Sequence, residues 1–368
     1  HHIRNRSSKT FEAVCGVRAN YRWCLTGTPI HNRLDDYGAL LSFIRVDPFT
    51  GSSGKTVFSH WVSSSVWTET NNTERLDRLK KLVAATCLRR TKQNVRNQLS
   101  LPRRTDKEHL VELHSSERLL YDFFKTRASS IVARSTVHHA ALERRGWGNI
   151  LTIINSLRLI CNHGEELLSS SSLELWKRRD TFTDDLNWHE NTSQLSTGAS
   201  RSHDPHDLPL PVTNSGQVSS KCCAPSSKVK ALINNLRAEQ NELTPNDSET
   251  PIKSVIFSYW TSMLDLIAVA LRENGFEFER IDGQTPLERR LLALKTLHDD
   301  PKCTVMLASI GSIAEGVDLT AASRVHIIEP QWNPMVEAQA LDRVHRMGQT
   351  RDVVTTRYIV KDSIETVS

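Results

Sequence analysis

The sequence predicts an α/β protein built on a parallel sheet. From Ser227 onward, segments with helical periodicity alternate with short apolar runs. The runs at 254–258, 304–308 and 325–328 are typical of strands that are buried on both faces. Because parallel strands need crossover connections, and helices usually supply them, this alternation indicates a sheet with helices on both faces.

The individual elements follow from periodicity and from end signals. In the first part of the chain we expect a strand at 21–25 and a helix over 34–44 that Asp47-Pro48 ends. Further helical patterning covers 55–85, 115–132 and 147–161. In the second part the pattern predicts helices at 228–243, 263–273, 286–297 and from Pro334, and strands at 254–258, 276–281, 304–308, 325–328 and 353–360. Ligands should then gather in the loops after Phe257, Ala308 and Ile328, at the carboxyl ends of the strands.

Residues 164–226 differ in composition from the rest of the chain. A serine run, Ser169 to Ser172, opens a stretch dominated by polar residues and proline. Such a stretch predicts an exposed, poorly ordered linker or insertion. Trp176 and Trp188 within it are either incidental aromatics or part of a partner-binding element.

Length and composition indicate a soluble globular protein. The 368 residues, 38% hydrophobic and 24% charged, suffice for two domains. A run of about 18 apolar residues, the length of a membrane-spanning helix, does not occur. The net charge of +5 permits nucleic-acid binding without requiring it. Residues 89–107 carry seven basic residues against Asp106, which fits either a phosphate-tracking surface or an ordinary solvated segment.

The cysteines predict no metal centre in this chain. Their odd number, seven, and scattered positions suit reduced thiols in a cytosolic or nuclear compartment. Cys161 and His163, or the histidines His203 and His206, lack the spaced partners that a closed four-ligand zinc site needs.

The segment from Gln339 to Gln349 carries the most specific pattern. Arg343 and Arg346 are three residues apart, so they are predicted to share one face of the helix begun near Pro334. Two guanidiniums that project together suit a ligand with several negative oxygens, such as a nucleoside triphosphate. Any two arginines at this spacing also fit a solvated helix face. The glutamine before the pair and the Gly-Gln ending favour a ligand-binding site over a solvated helix face.

This segment, Gln-Ala-x-Asp-Arg-x-His-Arg-x-Gly-Gln, resembles the last motif of the SWI/SNF-type ATPases, DNA translocases of helicase superfamily two. Residues 25–34 resemble the third motif of that family, 309–320 the fifth, and 329–334 its Asp-Pro-x-Trp-Asn-Pro segment. The fifth motif departs from the family pattern, with Ala314 in place of glycine and Asp318 in place of asparagine.

The resemblance implies two RecA-like lobes with parallel sheets, the first incomplete, joined by a helical insertion. The expected divisions are the end of the first lobe at 1–105, the helical insertion at 106–163, the linker at 164–226 and the second lobe at 227–368. His1 lies about where the acidic box of the family ends.

The resemblance also implies roles for particular residues. Arginines of the last motif reach ATP phosphates held by the other lobe, which is the logic of an arginine finger. The expected roles are catalytic for Arg343 and Arg346, nucleotide-binding for Gly316, Asp318 and Gln339, interlobe coupling for Thr26, Gly27 and Thr28, and DNA-binding for Ser258, Gly283 and Ser309.

ATP and Mg²⁺ are the implied cofactors, and the magnesium ligands and phosphate loop are expected upstream of His1. Gly51 to Thr56 is not such a loop, because it lacks the required first glycine. We therefore expect the chain alone to be inactive as an ATPase.

The implied function of the full-length protein is ATP-dependent translocation on double-stranded DNA. The resemblance places it in the nucleus, remodelling chromatin or displacing DNA-bound proteins, including in DNA repair, with nucleosomes or other chromatin proteins as partners and no membrane role. A catalytically inactive remnant that grips DNA or a partner is the main alternative. An RNA helicase is the other.

Overall fold

The chain forms two compact units. Unit 1 comprises His1–Leu101 and Asn333–Gln339, and unit 2 comprises Pro102–Trp332 and Ala340–Ser368. The chain thus leaves unit 2 after Trp332 and returns to it at Ala340. The structure, a computed structural model, describes residues 3–30, 33–51, 53–63, 69–90, 92, 101–137, 145–179, 224–241, 251–313 and 317–367.

Unit 1 is helical in its described part. Its helices are α1 (Lys9–Gly16), α2 (Leu34–Phe43), α3 (Gly54–Phe58), which continues as a π-helical turn (Ser59–Ser63), and α4 (Glu69–Thr86). Tyr37, Leu41 and Phe58 lie at the centre of its core. A Cβ at Gly54 would overlap the Phe49 carbonyl, so this glycine serves close packing. The predicted helices at 34–44 and 55–85 are confirmed in outline.

The predicted strand at 21–25 is wrong. The segment has no regular secondary structure, and Tyr21, Trp23 and Leu25 are 84%, 83% and 93% exposed. A strand requires a hydrogen-bonded neighbour, and the described part of unit 1 contains no strand that could pair with it. The sequence pattern is therefore compatible with a strand, but the segment has no described neighbouring strand with which to form one.

The described residues of unit 2 form a six-stranded sheet, and every neighbouring pair of these strands is parallel. The predicted parallel α/β class is therefore confirmed. The strand order is β1-β6-β5-β2-β4-β3. The strands are β1 (Arg104–Val111), β2 (Ser254–Ser258), β3 (Glu277–Ile281), β4 (Cys303–Ser309), β5 (Arg324–Ile327) and β6 (Val353–Val360).

The helices of unit 2 share one core with its sheet. Tyr121 and Ile160, from the expected helical insertion, lie in the same buried cluster as Ile256 of β2 and Leu307 of β4. The insertion therefore packs as part of unit 2. The helices are α5 (Ser115–Val137), α6 (Arg145–His163), α7 (Ser170–Lys177), α8 (Ser227–Gln240), α9 (Thr261–Glu273) and α10 (Leu287–Asp299). Helix α11 (Pro334–Leu341) belongs to unit 1 up to Gln339 and ends in unit 2.

Strand β1 was not predicted, since Arg-Thr-Asp-Lys-Glu-His-Leu-Val reads as a polar segment. It lies at an edge of the sheet, where it pairs with β6 from Arg104↔Val353 to Val111↔Val360. Edge strands tolerate charged side chains, because one side of the strand faces solvent. The predicted domain limit at residue 105 falls inside this strand, whereas unit 1 ends at Leu101.

The predicted linker begins too early. Residues 164–167 form a 3₁₀ turn and α7 follows it, capped by the Ser169 hydroxyl, which accepts from the amide of Ser172. The Trp176 ring lies 5.4 Å from the Phe123 ring of α5, so this aromatic is part of the helical packing. Residues 180–223, which include Trp188, lie outside the described residues.

A buried ion pair joins three elements of unit 2. Lys228 Nζ of α8 lies 2.7 Å from Glu365 Oε1, and the two side chains are 0% and 2% exposed. Lys228 also donates to Asn162 Oδ1 of α6 (3.0 Å), and Glu365 accepts from the Val360 amide at the end of β6 (2.9 Å). These contacts offset the cost of removing both charges from water.

Candidate functional site

The three residues predicted to bind DNA lie together at one edge of the sheet. Ser258 ends β2 and Ser309 ends β4, and the two residues are partners in the register. Ile281, two residues before Gly283, pairs with Ala308. Because all the strands are parallel, their carboxyl ends meet at this edge. We call it the carboxyl edge.

The hydroxyl groups at the carboxyl edge have partners inside the protein. Ser258 is 0% exposed and donates to the carboxylate of Glu329, at 3.0 and 3.2 Å from its two oxygens. Ser309 is also buried and donates to Ser312 Oγ at 2.8 Å. This geometry does not support a direct phosphate contact by the Ser258 hydroxyl. Gly283 is exposed, and DNA binding there stays a prediction.

Glu329, which stands in place of aspartate in the Asp-Pro-x-Trp-Asn-Pro segment, is a residue of this edge for which the sequence predicts no role. It follows β5, is 0% exposed, and accepts from both Ser258 Oγ and the backbone amide of Tyr259. Burial raises its pKa to about 7, although the bond from Tyr259 and the positive charge of Lys228 oppose the shift. The carboxyl group joins the ends of β2 and β5. An acid directly after a buried apolar strand was the available signal.

The arginines do not lie on a helix face, so that prediction is wrong. α11 ends at Leu341, and Arg343 and Arg346 lie in the turns that follow. In a continuing helix the Arg343 carbonyl would accept from the amide four residues later. Here it accepts from the Leu319 amide instead, at 3.1 Å. We call residues 342–349 the arginine turn.

The arginine turn lies at the opposite edge from the predicted DNA-binding residues. Leu319, to which it is bonded, precedes β5, and His345 Nε2 lies 2.9 Å from the carbonyl of Pro102, which precedes β1. These are the amino ends of parallel strands. The arginine turn therefore lies away from the carboxyl ends of the strands, where the sequence predicts that ligands gather.

Gln349 attaches the arginine turn to the loop at 317–322. Its Nε2 shares two hydrogens among the carbonyls of Thr320 (3.2 Å), Ala322 (2.9 Å) and Val344 (3.1 Å). Its Oε1 accepts from the next two backbone amides, both at 3.0 Å. The side chain is buried, so these bonds are shielded from water. The sequence motif contained this glutamine, but nothing in its spacing indicated the role.

The predicted nucleotide-binding residues are only partly described. Asp318 is exposed, belongs to the loop that Gln349 holds, and accepts from the Thr320 amide at 3.1 Å. It thus lies one residue from the amide that bonds to Arg343. Gln339 lies on α11 and groups with unit 1, and Gly316 is outside the described residues. Their roles stay predictions.

The predicted coupling residues form a small turn in unit 1. The amide of Thr28 donates to Thr26 Oγ1 at 3.1 Å, a local bond that shapes the chain around the exposed Gly27. His1, expected near the acidic box, is outside the described residues. The coupling role also stays a prediction.

Metal and membrane signals are not found where the chain is described. In those ranges no three His, Cys, Asp or Glu side chains are placed to share a metal ion. His203 and His206 lie outside the ranges. None of the described helices is long and apolar enough to cross a membrane.

Two domain families match the chain. The SNF2-related domain matches residues 1–166, and the helicase conserved C-terminal domain matches residues 227–348. The second match includes Asp318 and both arginines of the turn, and the first includes the Thr26–Thr28 turn.

Three curated relatives illustrate the similarity. One is "Putative SWI/SNF-related matrix-associated actin-dependent regulator of chromatin subfamily A member 3-like 1" of Arabidopsis thaliana, 30% identical over 99% of this chain and 46% of the relative. The "Helicase-like transcription factor" of Mus musculus is 30% identical over 99% of this chain and 41% of the relative. The "DNA repair protein rad8" of Schizosaccharomyces pombe is 27% identical over 99% of this chain and 39% of the relative.

The chain spans less than half of each of these relatives, and the two domain matches follow each other in chain order. The motifs at 25–34 and 309–320 fall within the matched regions, and the motif at 339–349 does so up to residue 348. The chain therefore combines an SNF2-related domain with a helicase conserved C-terminal domain and is homologous to helicase-like proteins of the SWI/SNF family.

Proposed function

We propose that the full-length protein is a DNA-dependent ATPase that translocates along double-stranded DNA. The supporting observation is the bonding of the arginine turn, which carries Arg343 and Arg346, to the Asp318 loop at the amino edge of the sheet. The predicted DNA-binding residues lie at the other edge. Nucleotide chemistry and DNA binding would thus use separate surfaces that one sheet connects.

The residues of unit 2 fit one side of an ATP site. ATP, when bound, supplies the phosphoryl group that is transferred to water. Arg343 and Arg346 stabilise the negative charge that develops on the phosphoryl oxygens, and they act without reorganisation because the turn is already held. Asp318, on the surface of the adjoining loop, accepts from a ribose hydroxyl.

The proposed partner is the backbone of duplex DNA. Contacts to phosphates fix position but carry no base sequence, so we expect weak sequence preference. The names of the relatives refer to chromatin regulation and DNA repair. By analogy, we propose a nuclear location and a role in moving nucleosomes or other DNA-bound proteins.

The full-length protein tests this proposal directly. We expect ATP hydrolysis to be stimulated at least about tenfold by duplex DNA, and less by RNA, with displacement of a third strand from a DNA triplex as the measure of translocation. No hydrolysis with any nucleic acid would instead support an inactive binding module. Stronger stimulation by RNA, together with strand separation, would support an RNA helicase.

Gln349→Leu is expected to lower DNA-stimulated turnover about 100-fold and to change DNA affinity little. The substitution leaves three carbonyls without their donor and releases the arginine turn, and small displacements of catalytic groups cost about this much. Steady-state ATPase assays and DNA-binding titrations measure the two effects. Gln240→Leu is the matched control, because it removes one bond, to Thr304 Oγ1, at the end of α8. Equal turnover in both variants would contradict the positioning role of Gln349.

A further inference from the structure

Arg158 of α6 is a buried arginine that lies over two tryptophans. Only 8% of the residue is exposed. Its guanidinium carbon lies 4.9 Å from the centre of the Trp260 ring and 5.2 Å from that of Trp332. Nη2 also donates to the carbonyl of Pro330 at 2.7 Å. One side chain from the helical insertion thus contacts both the start of α9 and the segment after β5.

The contacted segment, residues 330–332, is the last part of unit 2 before the chain leaves it. α11 begins two residues later, at Pro334, and the arginine turn follows α11. After the chain returns to unit 2 at Ala340, it is held by the Leu319–Arg343 bond and by Gln349. Arg158 provides the corresponding attachment before the chain leaves unit 2, at residues 330–332.

Ordinary packing does not explain an arginine at this position. Burial lowers the pKa of Arg158, and the negative charge of Glu329 opposes that shift, so the protein bears a cost in order to bury this cation. The planar guanidinium can stack on two rings while it donates an in-plane hydrogen bond, which an ammonium group cannot do.

Trp332 shows what the cation accomplishes. The residue is 65% exposed, so burial alone does not hold its ring. Trp260, in contrast, is only 9% exposed and gives Arg158 a fixed surface to stack on. Arg158 therefore gives the Trp332 ring a contact that burial does not provide.

We propose that Arg158 is a positioning residue of the ATPase, one that holds residues 330–332 so that α11 and the arginine turn start from a defined place. The inference rests on the proposed function and extends it to the helical insertion. Arg158 acts through the segment that it holds.

Hydrogen exchange in the full-length protein tests the positioning without requiring activity. In Arg158→Ala we expect the backbone amides of residues 331–341 to exchange about tenfold faster, because stacking on two rings and a charged hydrogen bond are lost. Arg118→Ala is the matched control. Arg118 also lies over an aromatic ring, Tyr121 at 5.5 Å, and donates to backbone carbonyls, of Lys361 and Asp362, at the end of β6. Unchanged exchange over 331–341 in Arg158→Ala, or an equal change in the control, would overturn the proposal.

ATPase kinetics, measured well below the melting temperature, separate positioning from stability. We expect Arg158→Ala to lower kcat with duplex DNA about tenfold with less than about a twofold change in KM for ATP, and Arg118→Ala to keep kcat near wild type. Arg158→Lys keeps the charge but loses the planar fork, so its kcat should stay low even where its melting temperature recovers. Full kcat in Arg158→Lys or Arg158→Ala would refute the role. An inactive wild type with faster exchange in Arg158→Ala would refute the proposed function and leave the positioning intact.

Discussion

Arg346→Ala in the full-length protein is expected to lower DNA-stimulated ATP hydrolysis by about 10³-fold or more, with duplex-DNA affinity nearly unchanged. An arginine that acts on developing phosphoryl charge contributes to turnover far more than to binding. The arginine turn is bonded to the amino edge of the sheet, whereas the predicted DNA-binding residues end strands at the carboxyl edge. Steady-state turnover at saturating DNA and fluorescence anisotropy of labelled duplex measure the two quantities.

Two further variants sharpen this test. Arg346→Lys keeps a positive charge without the planar donor pair, so its turnover should recover little. Arg351→Ala removes an arginine just after the turn, one that donates to the Pro251 carbonyl at 3.4 Å, and should leave turnover within about threefold of wild type. Turnover of Arg346→Ala within tenfold of wild type would refute the catalytic assignment.

Lys228→Met is expected to reduce the free energy of unfolding of unit 2 by about 3–5 kcal/mol. The substitution leaves the carboxylate of Glu365, which is 2% exposed, buried without its cation. Asn162 Oδ1 loses its donor at the same time. Chemical denaturation, followed by circular dichroism, measures the change.

The double variant Lys228→Met/Glu365→Gln should recover at least half of this loss, because it removes the uncompensated charge. Lys361→Met is the matched control. Its pair with Glu112 has a similar distance, 3.2 Å, but the side chains are 52% and 79% exposed, so the expected cost is under about 1 kcal/mol. A similar small loss for Lys228→Met would show that burial does not strengthen the internal pair.

The central strands of unit 2 could be predicted from sequence because their environment is uniform. β2 and β6 have the predicted bounds, 254–258 and 353–360. Every residue of β2 is buried, so a continuous apolar run in the sequence is enough to predict a central strand there. Helix α9 was predictable for a similar reason, since Met263, Leu264 and Ile267 all face the core.

Other features depend on partners that are distant in sequence. Just after α11 ends, the Arg343 carbonyl accepts a hydrogen bond from the Leu319 amide instead of from a helical neighbour. The hydrophobic periodicity around residue 343 does not predict that bond. The arginine spacing predicted one helix face, while the observed arrangement is a turn. Segment 21–25 shows the opposite error: its sequence suits a strand, but the segment does not pair with a neighbouring strand.

The pairing of β1 with β6 has a consequence for synthesis on the ribosome. Among the described strands, β6 is the only neighbour of β1, and the bond from the Arg103 amide to the Asp352 carboxylate joins residues 249 apart in the chain. During translation β1 emerges early, yet its partner emerges only when nearly the whole unit has been made. Contacts of such long sequence separation form late and slowly. The polar sequence of β1 then protects the nascent chain from aggregation, because a charged strand without its partner pairs poorly with other chains.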